Sequence, residues 1–221
     1  MTTGMSGTVL TVTTPQGPGR CFVDPAAEPK ALLVLGHGAG GGTNAADLEL
    51  LARRLPVLGI TVVRFEQPWR TAGRRIAGPP ATLDEAWLAA VPALRRQPWA
   101  ADRLFVGGRS AGARVACRTA LAVGAAGVVC LAFPLHLPGR PEKSRASELL
   151  MAGVPRLVLQ GSKDTFGTPD EIRQAMGAAP GIRLVELPGA DHGFRVAKAA
   201  ASTAADLRAR VLAEVGLFVG G

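Results

Sequence analysis

The sequence predicts an α/β fold with a mostly parallel central sheet and helices on both faces. Three observations predict it. Continuous apolar runs such as ALLVL (31–35) and GVVCLA (127–132) read as strands buried on both faces, as parallel sheets require. Segments with apolar residues at helical spacing lie between them, and such alternation builds a parallel sheet through right-handed crossovers. One buried strand ends in Gly107-Gly-Arg-Ser110-Ala-Gly112, a glycine-flanked turn that opens directly into a helical pattern.

The elements follow in order. Thr8–Thr13 alternates weakly and, with Arg20–Val23, predicts an antiparallel start. Ala31–Leu35 is the first doubly buried strand. Asn44–Leu55 reads as a helix, with Leu48, Leu51, Ala52 and Leu55 on one face. Ile60–Phe65 is the next strand. Thr82-Leu-Asp-Glu85 has the form of a capping box, which predicts a helix from Thr82, with Leu83, Trp87, Val91 and Leu94 inward and a kink at Pro92. Arg103–Gly107 is a strand, and a helix follows from Ala111 to about Ala122. Gly127–Ala132, Arg156–Gln160 and Ile182–Leu187 are further strands. Thr168-Pro-Asp-Glu171 starts a helix, with threonine as cap and proline at the first helical position. A last helix is expected over Ala199–Val215.

Length and composition restrict the function. The chain has 221 residues and no repeat, which predicts a single domain over 1–221. No apolar run is long enough for a membrane helix. The first 20 residues lack the basic start and apolar core of a signal peptide. Three cysteines with no CxxC pair exclude a disulfide framework, and together these features point to the cytoplasm. The net charge is +8, but residues 1–110 carry 12 basic and 8 acidic side chains and residues 111–221 carry 13 and 9, so each half is +4. An even spread without a basic tail argues against a nucleic-acid partner. The local excess is Arg64, Arg70, Arg74 and Arg75 against Glu66.

Ser110 is the candidate nucleophile. A G-x-S-x-G turn between a buried strand and a helix lifts the serine oxygen out of the sheet's C-terminal edge, and the tight packing requires small residues at Gly108 and Gly112. A serine hydroxyl needs a base. Of three histidines, His192 lies just after the last strand, in Asp191-His192-Gly-Phe194. Asp164, directly after the RLVLQ strand, is the candidate orienting carboxylate, since Asp191 is too close in sequence to reach the ring well. The order Ser110, Asp164, His192 is that of the α/β-hydrolases. The oxyanion of such a reaction needs backbone donors. Ala111 N–H is one candidate. The other is Ala39, with Gly40 next, in the glycine-rich loop Gly36–Gly42, where the following helix is expected to add its positive end. His37 is read as ordering that loop.

The chain resembles the α/β-hydrolase branch that includes the testis-expressed predicted hydrolases and a subunit of the non-specific-lethal chromatin complex. It is more distantly similar to dienelactone hydrolases. The motifs that carry this are GHGAGG (36–41), PWRTAGRR (68–75), LDEAW (83–87), GGRSAGARVA (107–116), FPLH (133–136), LQGSKDTFG (159–167) and DHGF (191–194). The resemblance implies an α/β-hydrolase fold and the same triad on Ser110, Asp164 and His192. Dienelactone hydrolases use a cysteine nucleophile where this chain has Ser110, so their substrate does not carry over.

Two stretches are expected to line the pocket, Glu66–Pro80 with Arg70, Arg74 and Arg75, and Phe133–Gly153 with His136. The arginines are candidates for an anionic group on the substrate. Residues 138–153 are too few for a large lid domain. No second ligand stands at metal spacing from His136, so neither metal nor other cofactor is expected. Cys117 and Cys130 read as packing residues. The expected activity is hydrolysis of an ester, thioester or related acyl substrate of small size; the oligomeric state is left open. Two other functions fit parts of the sequence. Gly36-x-Gly38-x-x-Gly41 followed by Glu66 formally matches a dinucleotide-binding pattern. A catalytically idle interaction protein on the same scaffold is the other.

Overall fold

A computed structural model describes residues 7–197 and 202–221. β1 (Thr8–Thr14) and β2 (Gly17–Asp24) form the expected antiparallel start, and β2 pairs antiparallel with β4 (Ile60–Glu66). The parallel part comprises β3 (Ala31–Gly36), β4, β5 (Leu104–Arg109), β6 (Gly127–Leu131), β7 (Arg156–Gly161) and β8 (Ile182–Leu187). The sheet order is β1-β2-β4-β3-β5-β6-β7-β8. This is the α/β-hydrolase fold, and among the described residues no large lid domain covers its strand ends.

The strand pleat divides the core in two. In β3, Leu32 and Val34 face α3 (Pro80–Arg95) and α4 (Ala111–Thr119), whereas Ala31, Leu33 and Leu35 face α1 (Ala46–Arg54) and α7 (Ala204–Gly220). β6 and β7 alternate likewise, with Val128, Cys130 and Val158 on the first side and Val129, Leu131, Leu157 and Leu159 on the second. Both faces are covered, which is why these strands read as unbroken apolar runs. Cys117 and Cys130 meet in the first core with their sulfurs 3.5 Å apart, as packing residues. No helix among the described residues is long and apolar enough to cross a membrane.

Several boundaries differ from expectation. α3 begins at Pro80, not Thr82: proline at the first turn starts the helix, and Thr82 Oγ1 donates to the Pro79 carbonyl at 2.8 Å instead of capping. The helix continues through Pro92 to Arg95. α4 ends at Thr119, short of Ala122. α6 (Pro169–Met176) has the expected Thr168–Glu171 capping box. The expected start of the last helix at Ala199 lies outside the described residues; α7 starts at Ala204, capped by Thr203 and Asp206, and runs past Val215 to Gly220. Two short helices, α2 (Pro68–Thr71) and α5 (Ala146–Leu150), carry too few turns to show periodicity in the sequence.

The strand order creates the site. β3 leads leftward through α1 to β4, while β5 leads rightward through α4 to β6, so a crevice opens between the C-terminal ends of β3 and β5. Gly36, Gly108 and Gly112 meet at its floor. A Cβ on Gly112 would overlap the Gly36 carbonyl, and one on Gly108 would overlap that carbonyl and lie 2.9 Å from Gly112 C. Gly40, by contrast, has open space around its Cα. Gly112→Ala is therefore expected to lower stability in urea titrations by about 1–3 kcal/mol, while Gly40→Ala leaves it nearly unchanged.

Candidate active site

Ser110 sits between β5 and α4 with φ 51 and ψ −110, a left-handed conformation that a non-glycine residue adopts only when its surroundings enforce it. The enforcing contacts are the Gly36–Gly108–Gly112 approach and the Ser110 N–H bond to the Leu131 carbonyl, 2.9 Å. The turn pushes the hydroxyl outward. His192 Nε2 lies 3.0 Å from Ser110 Oγ, and His192 Nδ1 lies 2.8 Å from Asp164 Oδ2. The three residues predicted as a triad are thus brought together at the C-terminal ends of β5, β7 and β8.

Asp164 is almost fully buried and its acceptor positions are used. Oδ1 accepts from Phe166 N–H at 2.8 Å, and Oδ2 accepts from Gln160 Nε2 at 2.8 Å as well as from His192. The carboxylate therefore fixes the imidazole with Nδ1 protonated and Nε2 free to accept. Phe166 stacks on the same ring, centroids 4.2 Å apart. Asp191 acts on the backbone instead. Its Oδ1 accepts from the Gly193 and Arg195 N–H groups and shapes the turn that carries His192.

Arg109 ties this turn to the body of the protein. Its guanidinium pairs with Asp47 of α1, donates to the His192 carbonyl and lies 5.4 Å from the centroid of Phe194. The sequence held no signal for the Arg109–Asp47 pair, whose members lie 62 positions apart. Behind it a larger cavity, about 400 Å³, opens between α1, α7 and the loop 193–196, away from Ser110, Asp164 and His192.

The opposite wall is the glycine-rich loop. His37 is buried; its Nδ1–H donates to the Gly38 carbonyl at 2.9 Å and its Nε2 accepts from Gln67 N–H at 3.2 Å. Both ring atoms are engaged in ordering the loop, as the sequence suggested. Ala39 and Gly40 N–H have no hydrogen-bond partner among the described residues, and Ala111 N–H is one of the orphan donors in the first turn of α4. Ala39 and Ala111, the latter next to Ser110 in the chain, line one cavity. The helix dipole here belongs to α4: α1 begins only at Ala46, too far along the chain from Ala39 to supply the positive end expected of it.

The other predicted contacts divide. From Glu66–Pro80, the cavity takes Gln67, Trp69 and Ala77. Arg74 lines an adjoining cavity of about 110 Å³ with Gln67, Trp69 and Leu83. Arg70 lies against the glycine loop, near Gly42, and Arg75 lines neither cavity. None of the three arginines has a carboxylate partner among the described residues. Phe133–Gly153 does not line the cavity. His136 in particular is withdrawn: it is buried, with Nδ1 bonded to the Leu137 carbonyl at 2.9 Å and Nε2 to Glu171 at 3.2 Å, so both nitrogens serve the structure. The described residues contain no group of three or more potential metal ligands. Glu66, which the dinucleotide pattern requires for a ribose, is paired with Arg20 at 2.6 Å, and the glycines at 36–41 do not open directly into a helix. That pattern has no site behind it.

Burial holds the His37 pKa below its ordinary 6.5, against the opposing pull of the Gly38 carbonyl. An unfolded chain then binds the proton more readily than the folded one. Stability from this group is complete above pH about 6.5 and is lost as pH falls through the folded value. Thermal unfolding between pH 7 and about pH 5 should show this acid-side loss, and His37→Gln should remove that part of the slope.

Comparison with known proteins agrees with this fold. Residues 29–220 match the family described as Alpha/beta hydrolase domain. A Xanthomonas campestris α/β serine hydrolase described as lacking a lid aligns over 98% of this chain and 97% of its own, with 24% identity and a TM-score of 0.70. A serine hydrolase homologue from Coxiella burnetii aligns over 96% and 98%, with 19% identity and a TM-score of 0.76. The esterase domain of a Rhodothermus marinus protein aligns over 98% and 100%, with 17% identity and a TM-score of 0.72. At these identities the likeness is one of fold.

Proposed function

The chain belongs to the Alpha/beta hydrolase domain family, and from that premise we propose that it is a serine hydrolase of ester, thioester or related acyl substrates. The observation that carries this reading is the continuous path Ser110 Oγ–His192 Nε2, 3.0 Å, and His192 Nδ1–Asp164 Oδ2, 2.8 Å, beside orphan backbone donors.

In this mechanism Ser110 Oγ attacks the substrate carbonyl carbon as its proton passes to His192 Nε2. Asp164 holds the ring and stabilises the imidazolium. The carbonyl oxygen takes up the negative charge between the N–H groups of Ala111 and Ala39, with Gly40 beside them, at the positive end of α4. Collapse of the tetrahedral species breaks the bond to the leaving group, which receives the proton from His192. Water then gives a proton to the same nitrogen and attacks the acyl-serine. The acid departs and Ser110 recovers its proton. No metal or other cofactor takes part in these steps.

We assign the chain to the branch of testis-expressed predicted hydrolases on its motif set, and we place it in the cytoplasm on its cysteine usage. The partner in this reading is a small acyl compound, with neither nucleic acid nor membrane involved. Arg74 adds selectivity for an anionic substrate group, a role supported by its position on the adjoining cavity and its lack of a carboxylate partner among the described residues. On that basis Arg74→Ala should lower kcat/KM for a carboxylate-bearing ester several-fold more than for its neutral analogue; equal losses would remove this role.

A fluorophosphonate probe tests the main reading. Wild type should be labelled, and Ser110→Ala and His192→Ala should not. Ester turnover should fall by about 10⁴-fold or more in each, with the unfolding midpoint unchanged. Turnover retained in Ser110→Ala would refute the mechanism.

A further inference from the structure

The turn that carries His192 is closed on itself. Phe194 N–H donates to the Asp191 carbonyl at 3.0 Å, and Asp191 N–H donates to the Arg195 carbonyl at 2.9 Å. Asp191 Oδ1 accepts from Gly193 and Arg195 N–H. These bonds set the shape of the turn but not its place. Phe194 stands at φ 55, a left-handed conformation that a bulky residue holds only when its surroundings enforce it. Over residues 191–195, one backbone group alone bonds outside the turn among the described residues. It is the His192 carbonyl, and its donor is the Arg109 guanidinium.

The position of Arg109 is itself fixed. The strand pleat puts it on the same face of β5 as Phe105, the side covered by α1. The close approach of Gly36, Gly108 and Gly112 settles where β5 ends. The guanidinium is mostly buried, and one Nη pairs with Asp47 in the first turn of α1 while the other reaches the His192 carbonyl. A planar fork holds two acceptors in one fixed geometry, which an ammonium does not. Arg109 lines neither the cavity at Ala39 and Ala111 nor the one at Arg74. Its influence on the reaction therefore runs through His192.

Resting on the serine hydrolase reading above, we propose that Arg109 is a positioning residue, anchored by Asp47. It holds the His192 backbone so that Nε2 stays within proton-transfer distance of Ser110 Oγ. Two effects of the guanidinium are separable. Pairing with Asp47 neutralises a buried carboxylate, which serves stability. The bond to the His192 carbonyl places the base, which serves rate, since a displacement of about 1 Å at a reacting group can cost about a hundredfold.

Arg109→Met, Asp47→Asn and the double variant test this with phenyl acetate. The end point of fluorophosphonate labelling counts the competent sites, so kcat is expressed per labelled site and partial unfolding does not enter it. Arg109→Met leaves the Asp47 carboxylate unpaired, and its urea midpoint should fall. The double variant removes that charge, and its midpoint should return towards wild type. Its kcat should not return: both proteins should stay about tenfold or more below wild type, with KM within about threefold. Asp47→Asn keeps the guanidinium on a weaker anchor and should lose less. Should Arg109→Met fail to fold, the double variant decides. A kcat in the double variant within twofold of wild type shows that the pair serves stability alone and overturns the positioning role. A loss expressed in KM overturns it too. In both cases the hydrolase reading stands. Absence of any Ser110-dependent hydrolysis or labelling in wild type overturns both.

Discussion

At the C-terminal edge of the sheet three backbone segments touch, at Gly36 of β3, Gly108 of β5 and Gly112 of α4. No side chain fits between them. This contact draws α4 down against the end of β3, forces the chain to reverse at Ser110, and holds that residue at φ 51. The same contact sets the first turn of α4, and so the Ala111 N–H, beside the loop that presents Ala39. The hydroxyl, the helix dipole and the backbone donors are therefore positioned by one packing constraint, built from rigid elements rather than loops.

The histidine side of the site is held differently. His192 comes from a loop, and loops are mobile unless tied down. Here the ties are numerous and polar. Asp164 and Phe166 fix the ring on one side; Arg109 grips the His192 carbonyl and is itself anchored to Asp47 on α1. Arg109 directly precedes Ser110. The residue next to the hydroxyl thus sets the position of the backbone that carries its partner, which couples the two halves of the site through a single guanidinium.

These two supports explain what the sequence disclosed. The glycine contact is local in sequence on one side, since Gly108 and Gly112 flank Ser110, and strand-end positions of Asp164 and His192 follow from apolar runs that end just before them. Those residues' positions, the parallel core and the place of the glycine-rich loop were legible for that reason. Long-range pairings left no such trace. Arg109 with Asp47, and Gln160 with Asp164, depend on which strand ends meet. His136 illustrates the opposite error: its place after a strand suggested a pocket, but Glu171 on α6 and the Leu137 carbonyl consume both ring nitrogens. Glu66–Pro80 does supply the wall, but through Gln67 and Trp69 rather than through the conspicuous arginines beyond them. Helix starts failed where two signals competed, as when Pro80 overrode Thr82.

Among the described residues no large lid domain lies over the strand ends, so the cavity is bounded by the walls of the crevice itself. Those walls are shared with the core. Trp87 and Val115 line the cavity, yet they belong to the same buried cluster as Leu32, Val34 and Phe65, and Trp87 packs edge-on against Phe65 with centroids 5.8 Å apart. Gly36 carries the elbow contact and also abuts Trp87, since a Cβ there would stand 3.2 Å from the indole. A substitution that enlarges the cavity must therefore open a void in the first core or loosen the packing behind Ser110. Core packing tolerates neither well. The shape of this wall is thus tied to the stability of the fold, whereas the open rim, where Arg74 and Arg75 are exposed to solvent, is free to vary without that penalty.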